Sequence, residues 1–193
     1  MKNHRHFIIH KPLRFLSQFV TNQTVRKNKG LLGELHDFPE GTMAIGRLDA
    51  DSEGLLLLST DGKVSEQIRS KNIEKEYYAQ VDGAISDEAI SQLNSGVLIR
   101  IDGADYRTLP SKATRLDIPP NFPPRAKKIR GEHHGPTSWV SITISEGKFR
   151  QVRKMTAVVG FATLRLVRVR IGSILLNDMP AGKVVEVEEL GVL

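Results

Sequence analysis

The sequence contains no cysteine, which excludes disulfides, thiolate zinc sites, iron–sulfur clusters and a cysteine nucleophile, and fits a reducing compartment such as the cytoplasm. Long apolar runs are also missing. The longest is Leu55 to Leu58, so no segment reads as a membrane span. The opening MKNHRHFIIHKP offers only Phe7 to Ile9 as an apolar stretch, far short of the hydrophobic region of a signal peptide. No glycine-rich run ends in GK followed by Ser or Thr, and phosphoryl transfer loses its main support. A soluble, unexported, cytoplasmic protein without membrane attachment is expected.

What is present is ordinary for a globular chain: 193 residues, 39% hydrophobic and 26% charged, enough for one compact domain or two small lobes around a real core. The net charge is +6, and its distribution is uneven. Between Phe122 and Arg170 there are eleven basic residues against Glu132 and Glu146, whereas the remainder holds 17 basic and 20 acidic residues. A basic half on a near-neutral scaffold points to a polyanion partner, because each neutralised phosphate releases counterions and adds sequence-independent affinity.

Short alternating or apolar segments punctuated by Gly, Pro and Asp predict strands at Phe7 to His10, Leu55 to Thr60, Tyr77 to Asp82, Val97 to Ile101, Ala113 to Ile118, Trp139 to Ser145, Leu164 to Ile171 and Val184 to Glu188. The strand at Trp139 alternates most regularly, with Val140, Ile142 and Ile144 on one face, and predicts one buried face. Ser86 reads as the cap of a helix carrying Ala89, Ile90 and Leu93. A second helix is expected from about Arg150 to Val159, ending at Gly160, with Val152, Met155 and Val159 on one face and Arg150, Arg153 and Lys154 on another. These elements predict an α+β domain with a largely antiparallel sheet.

Two segments stand out. Pro119 to Pro136 holds five of the nine prolines together with Arg125, Lys127, Lys128 and Arg130; a basic, proline-stiffened loop can clamp RNA or merely connect two elements. GRLDADSEG, Gly46 to Gly54, places Asp49, Asp51, Glu53 and Gly54 as in the opening of an EF-hand loop. Its back half refutes that reading, because the twelfth position is Thr60 and Leu55 to Leu58 supply no oxygen ligands. His133 and His134 have no third metal ligand nearby in the sequence and read as surface residues.

GRLDADSEGLLLLSTDG, Gly46 to Gly62, resembles the catalytic motif of the RNA pseudouridine synthases, in the RsuA branch. Further blocks follow in the family's order: HFIIHKPLRFLSQF with its KP turn, EKEYYAQV with its K-x-Y element, SEGKFRQVRKM, and TLRLVRVRIG. Together they cover nearly the whole chain. PTSW followed by the EGKFRQVRKMTAVVGFATLRLVR run is most similar to the RluE subgroup, which modifies large-subunit ribosomal RNA. The resemblance implies a single catalytic domain over residues 1–193, built as a bipartite, mostly antiparallel mixed sheet with flanking helices and a central RNA-binding cleft. It also implies that the S4-type RNA-binding domain of many branch members is absent. Where the branch often has a Gly after the KP turn, this chain has Leu13 and Arg14.

By the same resemblance the activity is isomerisation of a uridine to pseudouridine in ribosomal RNA, needing no ATP, redox cofactor or metal, by a monomer. Asp49 is the essential carboxylate, either attacking C1′ or removing a ribose proton. Arg153 is its guanidinium partner across the cleft, and Tyr77 stacks on the uracil and relays a proton, with Tyr78 left to packing. Arg47 fills the space left by the flipped uridine. Lys75, Lys148, Arg150 and Lys154 are phosphate or structural contacts, joined by Arg125, Lys127, Lys128 and Arg130 of the basic loop. Two alternatives stay open: a non-catalytic RNA-binding or ribosome-assembly factor with the same fold, and, more distantly, a metal-dependent nuclease using Asp49 and Asp51.

Overall fold

The computed structural model describes residues 4–21, 28–70, 73–125, 129 and 134–191. Its elements, in chain order, are β1 (His6–Lys11), a 3-10 turn (Leu32–Glu34), β2 (Met43–Ile45), β3 (Glu53–Ser59), α1 (Gly62–Ser70), β4 (Lys75–Asp82), α2 (Asp87–Ser95), β5 (Leu98–Ile101), β6 (Ala104–Arg107), β7 (Lys112–Leu116), β8 (Thr137–Ile144), α3 (Gln151–Val158), β9 (Thr163–Ile171), β10 (Ile174–Leu175) and β11 (Val184–Val187). The chain divides into two compact units, one of Met1–Ile73 with Arg168–Leu193 and one of Glu74–Val167.

In the first unit β1 lies between β11 and β3, antiparallel to both, and β2 adds to β3. The sequence EGLLLLS of β3 is buried at every position, as a strand covered on both faces requires. Phe7 and Ile9 stand opposite Leu58 and Leu56 in the register. These four and Leu32 form a fully buried cluster, with Phe19, Leu35 and Phe38 packed around it. Phe38 meets Phe7 and Phe19 edge-to-face at 5.1 and 5.3 Å, the geometry the ring quadrupole favours. After β3 the Asp61 carboxylate accepts the Lys63 backbone N–H at 2.8 Å and starts α1; that bond holds the Asp61 carboxyl below its usual range. This helix is absent from the sequence expectation because only Ile68 and Ser65 of GKVSEQIRS are buried, too sparse a stripe to show a period.

In the second unit β8 runs between β4 and β7, antiparallel to both. Ser86 caps α2 as expected, its Oγ accepting the Ala89 N–H at 3.2 Å. The Asn94 amide at the end of α2 pairs with the backbone of Ala113 through both its oxygen (2.6 Å) and its nitrogen (3.1 Å), standing in for a neighbouring strand. β5 and β6 form a hairpin whose turn residues Asp102 and Gly103 both have positive φ, 50° and 86°. The Asp-Gly pair is the usual signature of such a turn, and β6 follows from it.

Two local expectations change. β8 buries Val140, Ile142 and Ile144 as its alternation requires, but Trp139 and Thr143 on the other face are buried too. The cover on that face comes from the proline-rich stretch: Phe122 lies 5.7 Å from the Trp139 ring and 6.1 Å from the Tyr78 ring. The described part of that stretch is therefore packed structure. The second helix begins at Gln151 and ends at Val158; Arg150 precedes it in a left-handed conformation (φ 53°, ψ 33°), so it caps the helix instead of sharing a face with Arg153 and Lys154. Lys127, Lys128, Arg130 and His133 lie outside the described residues.

Candidate active site and nucleic-acid contacts

The acidic motif forms a tight turn between β2 and β3. Ser52 N–H closes it on the Asp49 carbonyl at 3.0 Å, and Arg14 N–H donates to the Ala50 carbonyl at 2.6 Å. Ser17 Oγ accepts the Leu48 N–H at 2.9 Å and donates to the Leu48 carbonyl at 2.8 Å, while the Leu48 side chain is buried. Asp49 itself is half-buried and Arg47 is exposed. The turn therefore holds two carboxylates, Asp49 and Asp51, at the boundary of core and solvent, and the backbone on either side of Asp49 is fixed by hydrogen bonds.

Behind the turn sits a group of buried charges. Lys11 is fully buried at the end of β1, opposite Gly54 in the register, and its ammonium donates to the carbonyls of Pro12 (2.9 Å) and Phe15 (2.8 Å). Burial pulls its pKa down to about 7, with Arg168 pushing the same way against the attraction of Glu53, Asp49 and Asp51. Arg168 and Glu53 are buried as well. The Arg168 guanidinium donates from Nε to the Leu55 carbonyl at 2.7 Å and from Nη1 to the Arg47 carbonyl at 3.5 Å, which ties both ends of the motif to β9. Gly54 has φ 109°, and a side-chain carbon there would stand 2.7 Å from the Arg168 backbone nitrogen. Only glycine fits both demands. Among the described residues no group of three His, Asp or Glu side chains is placed to hold a metal ion.

The second unit carries the remaining candidates. Tyr77 is buried on the same face of β4 as Ala79 and Val81, while Tyr78 points to the other face near Phe122, where burial raises its pKa. Arg153 is half-buried on α3 and donates to the Thr163 carbonyl at 3.4 Å. The turn before α3 presents Lys148, Phe149 and Arg150. It is held by Glu146, whose carboxylate accepts hydrogen bonds from the Tyr106 hydroxyl, from Leu109 N–H at 2.9 Å and from Gln151 Nε2 at 2.7 Å. Gln151 in turn accepts the Lys148 N–H at 3.1 Å. Lys75 donates to the carbonyls of Ser145 (3.3 Å) and Glu146 (3.4 Å), so it braces the same turn.

The basic segment does not act as one charged face. Arg165 and Arg168 are buried; Arg165 stacks over Phe122 at 5.4 Å and donates to the Pro123 carbonyl at 3.1 Å. Arg125 donates to the Leu164 carbonyl at 3.2 Å. Lys148 is exposed, and Arg150 and Lys154 are partly so. Lys11, Arg168 and Glu146 did not emerge from the sequence as site residues, although each lies in one of the family-like blocks.

Residues 5–158 match the family model described as RNA pseudouridylate synthase. The chain is 39% identical over 191 residues to ribosomal large subunit pseudouridine synthase E of Vibrio parahaemolyticus, an alignment covering 97% of this chain and 76% of that protein. It is 39% identical over 178 residues to the protein of the same name from Xanthomonas campestris pv. campestris, covering 91% of each. Among solved structures, one titled "Crystal structure of pseudouridylate synthase" superposes with a TM-score of 0.77 at 25% identity, covering 97% of this chain and 71% of that one.

Proposed function

The chain belongs to the RNA pseudouridylate synthases, and from that premise we propose that it converts a uridine of large-subunit ribosomal RNA to pseudouridine with Asp49 as the essential carboxylate. The substrate class follows the two relatives, both named as large-subunit enzymes. One observation carries the assignment of Asp49: of the two half-buried carboxylates of the turn, Asp49 and Asp51, it is Asp49 that follows a residue, Leu48, held by Ser17 through both its N–H and its carbonyl, and whose own carbonyl closes the turn on the Ser52 N–H.

The reaction breaks the bond between uracil N1 and ribose C1′ and forms one between C5 and C1′. The C5 proton leaves and N1 gains one, so atoms and electrons balance without an outside reagent. A carboxylate serves either route, as a nucleophile on C1′ or as a base toward the ribose. Both routes need it placed near contact distance, where positioning is worth roughly 7–11 kcal/mol. Tyr77 and Arg153 complete the proposed catalytic set. Arg47, Lys75, Lys148, Arg150, Lys154 and the loop residues Arg125, Lys127, Lys128 and Arg130 are proposed as the RNA-contacting set, the exposed Lys148 foremost. The domain is proposed to work as one catalytic body without a metal or cofactor.

The test is a carbodiimide-based pseudouridine map of unmodified large-subunit ribosomal RNA incubated with the wild type or with Asp49→Asn. One new pseudouridine with the wild type and none with Asp49→Asn is expected. Equal yields would move the chemistry away from Asp49, and no pseudouridine from either protein would favour the non-catalytic RNA-binding factor.

A further inference from the structure

A large apolar ring exposed to water on a hydrogen-bonded turn calls for an account, because apolar surface is favoured out of water. Phe149 is such a ring, with 62% of its surface exposed. Its turn is held fast. Glu146 gathers the Tyr106 hydroxyl, the Leu109 N–H and Gln151 on one carboxylate, Gln151 returns to Lys148, and Lys75 anchors the carbonyls of Ser145 and Glu146. The backbone of Phe149 thus sits between a residue bonded to Gln151 and a left-handed Arg150 that opens α3.

One cation, from α3, lies beside the ring, and two more flank Phe149 in the sequence. Lys154 Nζ lies 5.1 Å from the Phe149 centroid, and Lys148 Nζ lies 5.0 Å from the Tyr106 centroid. An exposed apolar ring with Lys154 beside it, on a turn that also carries Lys148 and Arg150, suits a partner that is aromatic in one part and anionic in another. An unpaired nucleotide has both: a base face to stack on the ring and a phosphate for the cations. A hydrophobic protein segment would bring the lysines nothing to pair with.

We propose that Phe149 is a stacking platform for an unpaired base of the RNA substrate, with Lys148, Arg150 and Lys154 holding the adjoining phosphates. The platform rests on the reading of this chain as an RNA-modifying enzyme. It adds a residue that recognises single-stranded RNA through an aromatic face and does not take part in the chemistry.

The experiment measures binding of a short labelled oligouridylate, and of an RNA duplex of equal length, to the full chain carrying Phe149→Ala, Phe149→Leu or Phe149→Trp. Pseudouridine formation on large-subunit ribosomal RNA is followed in parallel. Phe149→Ala and Phe149→Leu should each weaken oligouridylate binding roughly 10- to 100-fold, with the salt dependence unchanged, the duplex less affected, and Phe149→Trp near wild type. Wild-type binding by Phe149→Leu would overturn the platform, since an aliphatic side chain keeps the apolar surface and loses the stack. Unchanged binding by Phe149→Ala while the wild type makes pseudouridine would overturn the platform alone. The expected binding series with no pseudouridine from the wild type would support the platform and overturn the catalytic reading.

Discussion

The Asp49 turn and the turn before α3 use charge in different ways. Around the Asp49 turn, Lys11, Glu53 and Arg168 are buried, and the cations direct their donors to backbone carbonyls of the segments that shape the turn. In the turn before α3, Lys148 is exposed and the ordering is done by Glu146, a single half-buried acid with three donors. Charge in the first region builds geometry in a poor solvent for ions, where removing one partner strands another. Charge in the second stays available to an anion, where salt screens it.

That contrast is open to attack at two glycines. Gly54→Ala puts a side chain where φ is 109° and the Arg168 backbone is in the way; a loss on the order of 2–5 kcal/mol of stability is expected. Gly147→Ala meets nothing within 4 Å and has no positive φ, so it should change stability by no more than about 0.5 kcal/mol. Urea titration of both variants checks the pair, and similar losses in the two would remove the claim that Gly54 lacks the room for a side chain that Gly147 has.

A pH-dependent effect of similar size concerns Lys11. Its folded pKa of about 7 lies below the ordinary lysine value of 10.5, so between those values the unfolded chain binds the proton that the folded chain has released. Stability should therefore rise with pH across that window, with a slope of up to ~1.4 kcal/mol per unit, and be flat below it. Lys11→Met should lack this rise, since it leaves no group to titrate. Unfolding free energies measured between the two pKa values for both proteins decide the point, and parallel curves would place Lys11 outside the buried group.

The smallest effect on folding belongs to the exposed region. Replacing Lys148, Arg150 and Lys154 with Gln should leave stability within about 0.5 kcal/mol while lowering the log–log salt slope of RNA binding by up to about 0.7–0.9 for each phosphate that is no longer neutralised. An unchanged slope in filter binding across salt concentrations would show that these cations do not meet phosphate.

How much of this was legible in the sequence follows from the range of the forces involved. Ser86 as a cap and the stop at Gly160 are local, and both stand where the sequence puts them. The alternation of β8 marked its buried face correctly, but cover by Phe122 on the other face depends on how the stretch before β8 folds back over it, which alternation does not show. Counting basic residues treated Arg165 and Arg168 as surface charge; their burial comes from tertiary partners, the Pro123 and Leu55 carbonyls, that no spacing reveals. Lys11 was hidden for the same reason, since a lysine ending a strand ordinarily reaches water and here lies opposite Gly54 instead. The acidic motif was the most readable feature, and the family resemblance supplies the role proposed for Asp49; the structure adds Ser17, Arg14 and Arg168 as the residues that hold its turn.

The central claim is that chemistry resides at Asp49 while the turn before α3 holds RNA. It is tested most directly by single-turnover pseudouridine formation and RNA affinity, measured side by side for Asp49→Asn and for the Lys148, Arg150 and Lys154 to Gln variant. The account predicts no product with near-normal affinity in the first, and weakened affinity with a near-normal rate at saturating RNA in the second. Product formation by Asp49→Asn within tenfold of wild type, or a lost saturated rate in the basic variant, would contradict it.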